Sequence, residues 1–149
     1  MKEGEYKKFF LMLAASFVVM YFAMFLSAAS LSHIYLSLNE LYMTLLMICP
    51  MSLIMLLAMK KMYTNKKLNA IIIIISILVF ILALILLRNQ TLVDDKEYMK
   101  AMISHHSSAI LSSKEANLHD SELKQLAEQI IENQEREIGQ MKNILDRLN

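Results

Sequence analysis

Two adjacent histidines lie among methionines in the last third of the chain, at Met99, Met102, His105 and His106. A helical residue turns by about 100°, so Met102 lies one turn before both imidazoles and Met99 one turn before Met102. Thioether sulfur is a soft, neutral ligand that suits Cu(I), and imidazole also binds copper. The spacing therefore predicts a copper site, preferably for Cu(I), made of methionine and histidine without a thiolate.

Two helices must position these side chains. After Asp94 the apolar residues recur at the i, i+3, i+4 spacing of one helical face. A break at residues 117–120 supplies a turn, and a second helix runs nearly to the end of the chain. Its seam steps by four and three, as in a coiled coil, through Leu123, Ala127, Ile130, Gln134, Glu137, Met141, Ile144 and Leu148. We expect a helical hairpin.

The turn also predicts a register between the two helices. Folding the hairpin about it places His106 opposite residue 131. It also brings three seam residues near the layer of the histidines and methionines: Gln134, Glu137 and Met141. We expect the Met141 thioether as a further ligand, and Gln134 or Glu137 as the acceptor for the ring N–H that does not face the metal. Alternatively, the methionines and His106 only fill a core, and His105 lies in solvent.

Two strings in this tail occur together, M-x-x-M-I-x-H-H-x-x-A-I from Met99 and Q-x-x-E-I-x-x-M from Gln134. Over about residues 94–148 they resemble the domain-of-unknown-function 305 family. The resemblance implies a ferritin-like helical arrangement and, as in some members, copper binding in the periplasm. It implies five ligand candidates: Met99, Met102, His105, His106 and Met141. Ser112 stands where the family often has a further methionine, so one customary soft ligand is missing.

The first half of the chain is predicted to be a membrane domain. Three stretches without a formal charge, at 9–31, 41–59 and 68–87, run for 23, 19 and 20 residues. A transmembrane helix needs about 20 apolar residues, and in lipid only a helix satisfies its backbone groups within one segment. We predict a membrane domain over 1–88 with three spans, followed by the hairpin domain over 89–149. A cleaved signal peptide is the alternative for the first stretch.

The lysines predict the orientation of the chain. They precede the first span and fill the link between the second and third, at Lys2, Lys7, Lys8, Lys60, Lys61, Lys66 and Lys67. The link Ser32–Glu40 has none, and Arg88 is the only cation that opposes this pattern at the end of the third span. The positive-inside rule then places the N-terminus in the cytoplasm and the tail outside. We expect a multi-pass protein of the plasma (inner) membrane.

Composition excludes several classes of protein. The 149 residues are 56% hydrophobic and include two Gly, one Pro and one Cys. They offer too few turn residues for a β-sandwich or a Gly-rich phosphate loop, and no disulfide framework within the chain. The tail after residue 88 has seven basic and eleven acidic residues, which is no footprint for nucleic acid. No Glu-x-x-His pair occurs, so di-iron chemistry and catalysis are not expected.

The second span carries methionines at an i, i+4 interval, at Met43, Met47, Met51, Met55 and Met59. Each step turns about 40° past a full turn, so the row winds round the helix. Together with Cys49, beside Pro50, the first four could pass Cu(I) through a helix bundle. The favoured interpretation is that methionine here is an ordinary apolar residue.

We expect an all-α, membrane-anchored copper-binding protein that serves copper storage, delivery or tolerance. A hairpin this small buries too little apolar surface to be stable by itself. Two copies are therefore expected to pair into a four-helix bundle. Expected partners are the lipid bilayer, a second copy and a copper-handling protein. The alternatives are a copper transporter or channel component that uses the membrane methionines, and an oligomerisation module without metal. His33 and His119 are expected at ordinary surface positions.

Overall fold

The computed structural model describes residues 3–148, which fold into helices without any strand. The five α-helices are α1 Glu3–Ala23, α2 Leu38–Ala58, α3 Lys66–Arg88, α4 Asp95–Glu115 and α5 Ser121–Leu148. Two short 3-10 turns, Met24–Ser27 and Leu31–His33, lie between α1 and α2. The predicted all-α class and the helical tail are confirmed for this part of the chain.

Short polar side chains begin three of the helices. Asn65 accepts a hydrogen bond from the Leu68 N–H at the start of α3, and Asp94 accepts one from the Glu97 N–H at the start of α4. At the start of α5, Asp120 accepts from the Leu123 N–H. Each bond satisfies a backbone donor that has no partner inside its own helix. Asn65, Asp94 and Asp120 therefore cap α3, α4 and α5.

Three helices are long and apolar enough to cross a membrane: Gly4–Ser27, Leu38–Ala58 and Lys66–Arg88. Most of their large apolar side chains lie on the outside, as lipid-facing side chains do. The three predicted spans are confirmed by length and composition. The first prediction extends too far, because α1 ends at Ala23 and the chain then breaks into the two 3-10 turns.

The described chain forms two compact units. The membrane unit comprises residues 3–23 and Asn39–Leu92, and the tail unit comprises Met24–Leu38 and residues 93–148. We call Met24–Leu38, which joins α1 to α2, the connecting segment. The units do not follow chain order, since this segment groups with the tail and not with the helices that flank it.

The membrane unit has its core near the start of α1 and the end of α2. Phe9, Leu56, Tyr63 and Ile72 form a buried cluster there. The Tyr6 hydroxyl donates to Asn69 Oδ1 at 2.8 Å, which ties α1 to α3. Further along, the hydroxyls of Ser52 and Ser76 are 2.7 Å apart and link α2 to α3. Apolar packing and a few buried polar bonds hold the three helices together.

The tail unit has its core between α4 and α5. Ile103, Ile110, Ile138 and Leu145 are buried together. The expected seam through Glu137 and Ile144 is displaced by one residue, since those two side chains are only half-buried. Burying an isoleucine and a leucine is favourable, whereas burying the Glu137 carboxylate is costly. The helix is therefore rotated to turn Ile138 and Leu145 inward.

The predicted register between α4 and α5 is wrong. His106 lies opposite Glu137 and not opposite residue 131, and Lys114 reaches Glu135 at 2.8 Å. The connection 116–120 is not helical, and Ala116 is extended with ψ 127°. An extended residue advances the chain by about 3.3 Å, compared with about 1.5 Å in a helix. Later residues of α5 therefore face α4, and Leu123 and Leu126, near the start of α5, are exposed.

Candidate metal centre

The residues predicted to hold a metal occupy one helix and the facing part of the next. On α4, His105 is exposed, whereas Met99, Met102 and His106 are half-buried. The His106 side chain is 14% exposed. Met99 and Met141, from α4 and α5, pack against the same buried cluster of Ile103, Ile110, Ile138 and Leu145. The fold therefore brings thioethers from both helices to one core.

The His106 ring meets a carboxylate from α5. Its Nδ1 lies 3.2 Å from Glu137 Oε2, although Nδ1 makes no aligned hydrogen bond with any residue in 3–148. Gln134, the other predicted acceptor, is half-buried one turn earlier on α5. Glu137 is thus the carboxylate closest in charge contact with this ring, without an aligned hydrogen bond to it.

Burial lowers the pKa of His106 below its usual value, because the charged ring loses solvation. The Glu137 carboxylate opposes this effect, and the neighbouring His105 adds to it. His106 is therefore neutral at neutral pH, and the neutral imidazole is the form that binds a metal ion.

The two histidine rings are close to each other on α4. The ring centroids of His105 and His106 are 6.3 Å apart, with planes inclined by 62°. Within residues 3–148, no group of three or more His, Cys, Asp or Glu side chains is arranged to hold a metal ion.

The connecting segment docks on α4 beside the two histidines. The Ser107 hydroxyl, fully buried, accepts from the Ala29 N–H at 2.8 Å and lies 2.9 Å from His33 Nδ1. One turn earlier, Ser104 donates to the His33 carbonyl at 3.3 Å. The expectation that His33 is an ordinary surface residue is wrong. The sequence signal was the pair Ser104 and Ser107, which flanks the histidines at i, i+3 on one helical face.

The environment of His33 fixes its protonation. Burial lowers the pKa of His33, the Lys142 ammonium lowers it further, and the Glu135 carboxylate acts the other way. The Ser107 hydroxyl accepts from the Ala29 N–H and also shares a hydrogen bond with His33 Nδ1. His33 is therefore part of a hydrogen-bonded clamp between the connecting segment and α4.

An open cavity of ≈ 320 Å³ lies within the tail unit. His33 and Ser30 form one side of it, Ile110 and Ile138 line it with apolar surface, and the Lys114–Glu135 ion pair completes it. The predicted copper ligands are absent from its lining. The cavity is thus separate from the methionine and histidine cluster.

The methionines of α2 do not share one surface. Met43 and Met47 are exposed, Met51 is half-buried, and Met55 packs against the Leu56 cluster. Cys49 is buried. Met59, just after α2, is exposed again, so the row winds round the helix as an i, i+4 row must.

A family profile and a viral protein are similar in sequence to this chain. The sequence profile of a family described as a domain of unknown function, DUF305, matches residues 83–145, which include all of α4 and most of α5. Uncharacterized protein L153 of Acanthamoeba polyphaga mimivirus is 42% identical over 139 residues, which cover 91% of this chain and 90% of that protein. The chain belongs to the DUF305 family. No solved structure matches it.

The two matches cover different parts of this DUF305 protein. The family profile begins within the last part of α3 and covers the tail. The similarity to the mimivirus protein covers most of the membrane helices as well. The similarity to that relative therefore extends over both the apolar helices and the tail of this chain.

Proposed function

We propose that this protein is a membrane-anchored copper-binding protein whose tail holds Cu(I). The ligands would come from Met99, Met102, His105, His106 and Met141. The observation that carries this proposal is the half-buried, neutral His106, whose Nδ1 lies 3.2 Å from Glu137, on the same pair of helices whose buried core contacts Met99 and Met141. A neutral imidazole among thioethers is a donor set that suits Cu(I).

The donor types support copper over harder metal ions. Zinc, iron and calcium sites use imidazole, thiolate or oxygen ligands, and residues 3–148 contain no group of three such side chains in position. Methionine sulfur binds these ions weakly, whereas it binds Cu(I) well. Glu137 would then serve to orient His106, and Gln134 would be the second polar neighbour.

The membrane helices would anchor this tail outside the cell. The connecting segment and the tail form one unit, as expected for a three-span chain whose first link and tail emerge on the same side. The lysines between α2 and α3 favour the cytoplasm for the opposite side. The protein would then serve copper storage, delivery or tolerance at the plasma (inner) membrane, in contact with a copper-handling protein, and we propose no catalysis.

A second copy of the chain is the proposed partner of the tail. Leu123 and Leu126, near the start of α5, are 45% and 50% exposed. Exposed leucines on neighbouring turns are suited to pack against another helix. Pairing of two tails would bury them and complete a four-helix bundle.

A competition titration with a chromogenic Cu(I) chelator tests the copper proposal on the full chain in detergent. We expect tight binding in the parent and a loss of at least about tenfold in Met102→Leu and in His106→Ala. The controls are Met12→Leu, in α1, and His119→Ala, in the connection before α5, both exposed. Equal affinity in all five proteins would overturn the proposal and leave the oligomerisation module as the better account.

A further inference from the structure

The membrane unit contains a cavity of ≈ 460 Å³ between the end of α2 and the start of α3. Its walls change in character along its length. Leu56 and Leu57, in the last turn of α2, and Ile73, in α3, form an apolar part. Lys60 and Thr64, in the link between the helices, and Lys66, the first residue of α3, form a polar part. We call it the lysine cavity.

This gradient matches the boundary of a lipid bilayer. Leu57 and Ile73 belong to helices that can span a membrane, and Leu57 is 60% exposed. Lys60 and Lys66 lie at the ends of those same helices, where headgroups replace hydrocarbon. A free anion would leave the apolar wall uncovered, whereas a phospholipid covers it with an acyl chain. The cavity therefore suits an amphipathic ligand with an anionic head.

The charges around the lysine cavity are mostly positive. Lys7, Lys8, Lys61 and Lys67 are exposed at the same end of the unit as Lys60 and Lys66, because Tyr6 of α1 bonds to Asn65 and Asn69 there. Glu5 is the acidic residue near this end whose field reaches the cavity wall, through Tyr63. Six lysines outweigh it, so the potential at this end favours an anion.

Hydrogen bonds hold the polar walls in place. Asn69 donates to the Tyr63 carbonyl at 2.8 Å, and the Asn65 N–H donates to the Tyr6 hydroxyl at 3.1 Å. Tyr63 lines the cavity, and its buried hydroxyl makes no hydrogen bond within residues 3–148. Burial and the Glu5 carboxylate both raise the pKa of this hydroxyl, so it stays a neutral donor. A preformed wall lowers the entropy that a ligand must lose on binding.

We propose that the lysine cavity binds one anionic phospholipid, with its phosphate between Lys60 and Lys66 and an acyl chain along Leu57 and Ile73. Thr64 is placed to donate to the headgroup. Basic pockets at the ends of membrane helices are a recurrent way to hold anionic lipid headgroups. The site is independent of the copper proposal, since it shares no residue with the tail.

Native mass spectrometry of the full chain in detergent tests this site, with phosphatidylglycerol as the probe and phosphatidylcholine as the neutral lipid. We expect one phosphatidylglycerol to be retained in preference to phosphatidylcholine. Lys60→Gln with Lys66→Gln should weaken this retention about thirtyfold, because each lysine contributes roughly a factor of five. Lys60→Arg with Lys66→Arg should keep it, since the charge is preserved.

The matched control is Lys7→Gln with Lys8→Gln, which removes the same charge from the same end of the unit but outside the cavity. Its retention of phosphatidylglycerol should stay within about twofold of the parent, because charges outside the site act only through a screened field. Equal weakening in both glutamine pairs would overturn the proposal in favour of a diffuse attraction. Displacement of the lipid by millimolar inorganic phosphate would overturn it in favour of a free-phosphate site.

Discussion

The membrane unit and the tail unit use the same residue types in opposite ways. On α2, Met43 and Met47 are exposed on an apolar exterior, whereas in the tail Met99 and Met141 pack against the buried core between α4 and α5. A methionine on a lipid-facing surface needs no function, because its thioether is an apolar group there. A methionine beside a neutral, half-buried imidazole is a potential ligand. The methionines of α2 and those of the tail therefore differ in the side chains around them and not in residue type.

Serine shows the same contrast. In the membrane unit, the hydroxyls of Ser52 and Ser76 bond to each other and join two spans. In the tail unit, the Ser107 hydroxyl binds the backbone and the ring of the connecting segment. All three serines are buried where the elements that they join meet. The tail is thus held by contacts distant in sequence, on which the proposed copper site would depend.

The largest expected effect is on the tail core. Ile138→Ala should destabilise the tail by about 2–5 kcal/mol, because the side chain is 3% exposed and its removal leaves a cavity. The matched change Ile74→Ala, at a 57% exposed position on α3, should have little effect in a bilayer. Hydrogen exchange of α4 and α5 in the full chain measures both. Similar protection in the two variants would show that the tail is not packed as described.

Copper binding separates the two groups of methionines. Met99→Leu with Met141→Leu should weaken Cu(I) binding by about a hundredfold, since two soft donors are lost while side-chain volume is kept. Met47→Leu, Met51→Leu and Met55→Leu together should leave affinity unchanged. The chelator competition gives both values. If the α2 triple variant lost binding or copper uptake and the tail variant did not, the transporter alternative would replace the tail site.

The Ser107 hydroxyl is expected to hold the connecting segment on α4 through its hydrogen bonds. Ser107→Ala should destabilise the tail unit by about 1–3 kcal/mol, because the Ala29 N–H and His33 Nδ1 both lose their partner. Ser108→Ala, at the adjacent half-buried position, is the control. Limited proteolysis within residues 24–38 reports release of the segment. Unchanged cleavage in Ser107→Ala would mean that other contacts hold the segment in place.

A smaller effect is expected at the residue that orients His106. Glu137→Gln should weaken Cu(I) binding about tenfold, because the amide replaces a charged acceptor near Nδ1 by a neutral one. Glu135→Gln, which breaks the ion pair with Lys114, is the control and should bind as the parent does. A weaker effect in Glu137→Gln than in Glu135→Gln would remove Glu137 from the site.

The smallest expected effect is a dependence of tail stability on pH. The pKa values of His33 and His106 are lowered by folding, so the unfolded chain binds more protons just below their usual value of 6.5. Stability is then fully present above pH 6.5 and falls as the pH drops through the folded values. The groups that face His33 are Lys142 and Glu135, and those that face His106 are Glu137 and His105.

Unfolding of the tail between pH 8 and pH 5 measures this dependence. His33→Gln with His106→Gln should flatten the profile, and His119→Gln should not, since His119 is exposed. An unchanged slope in the double variant would assign the acid sensitivity to the carboxylates.

Local pattern was sufficient for the existence and order of the helices. The three apolar stretches became α1, α2 and α3, although α1 ends at Ala23, before the end of the first predicted span. The sequence pattern did not predict the register between α4 and α5, because that register depends on the length of the connection between them. The sequence predicts a turn at residues 117–120, but the chain is extended at Ala116. The longer connection shifts α5 along α4, so that Glu137 faces His106.

The sequence by itself determined that this protein has three apolar helices, a polar helical tail and a cluster of histidine and methionine on one helical face. These follow from hydrophobicity and helical periodicity, which act over a few residues. Only the tertiary structure decided that α5 turns Ile138 inward, that Glu137 meets His106, and that the connecting segment docks on Ser107 through His33. These contacts join residues up to 78 positions apart in the sequence. They form because one arrangement of the helices must pack the apolar side chains, keep charged groups out of the core and pair the buried polar groups.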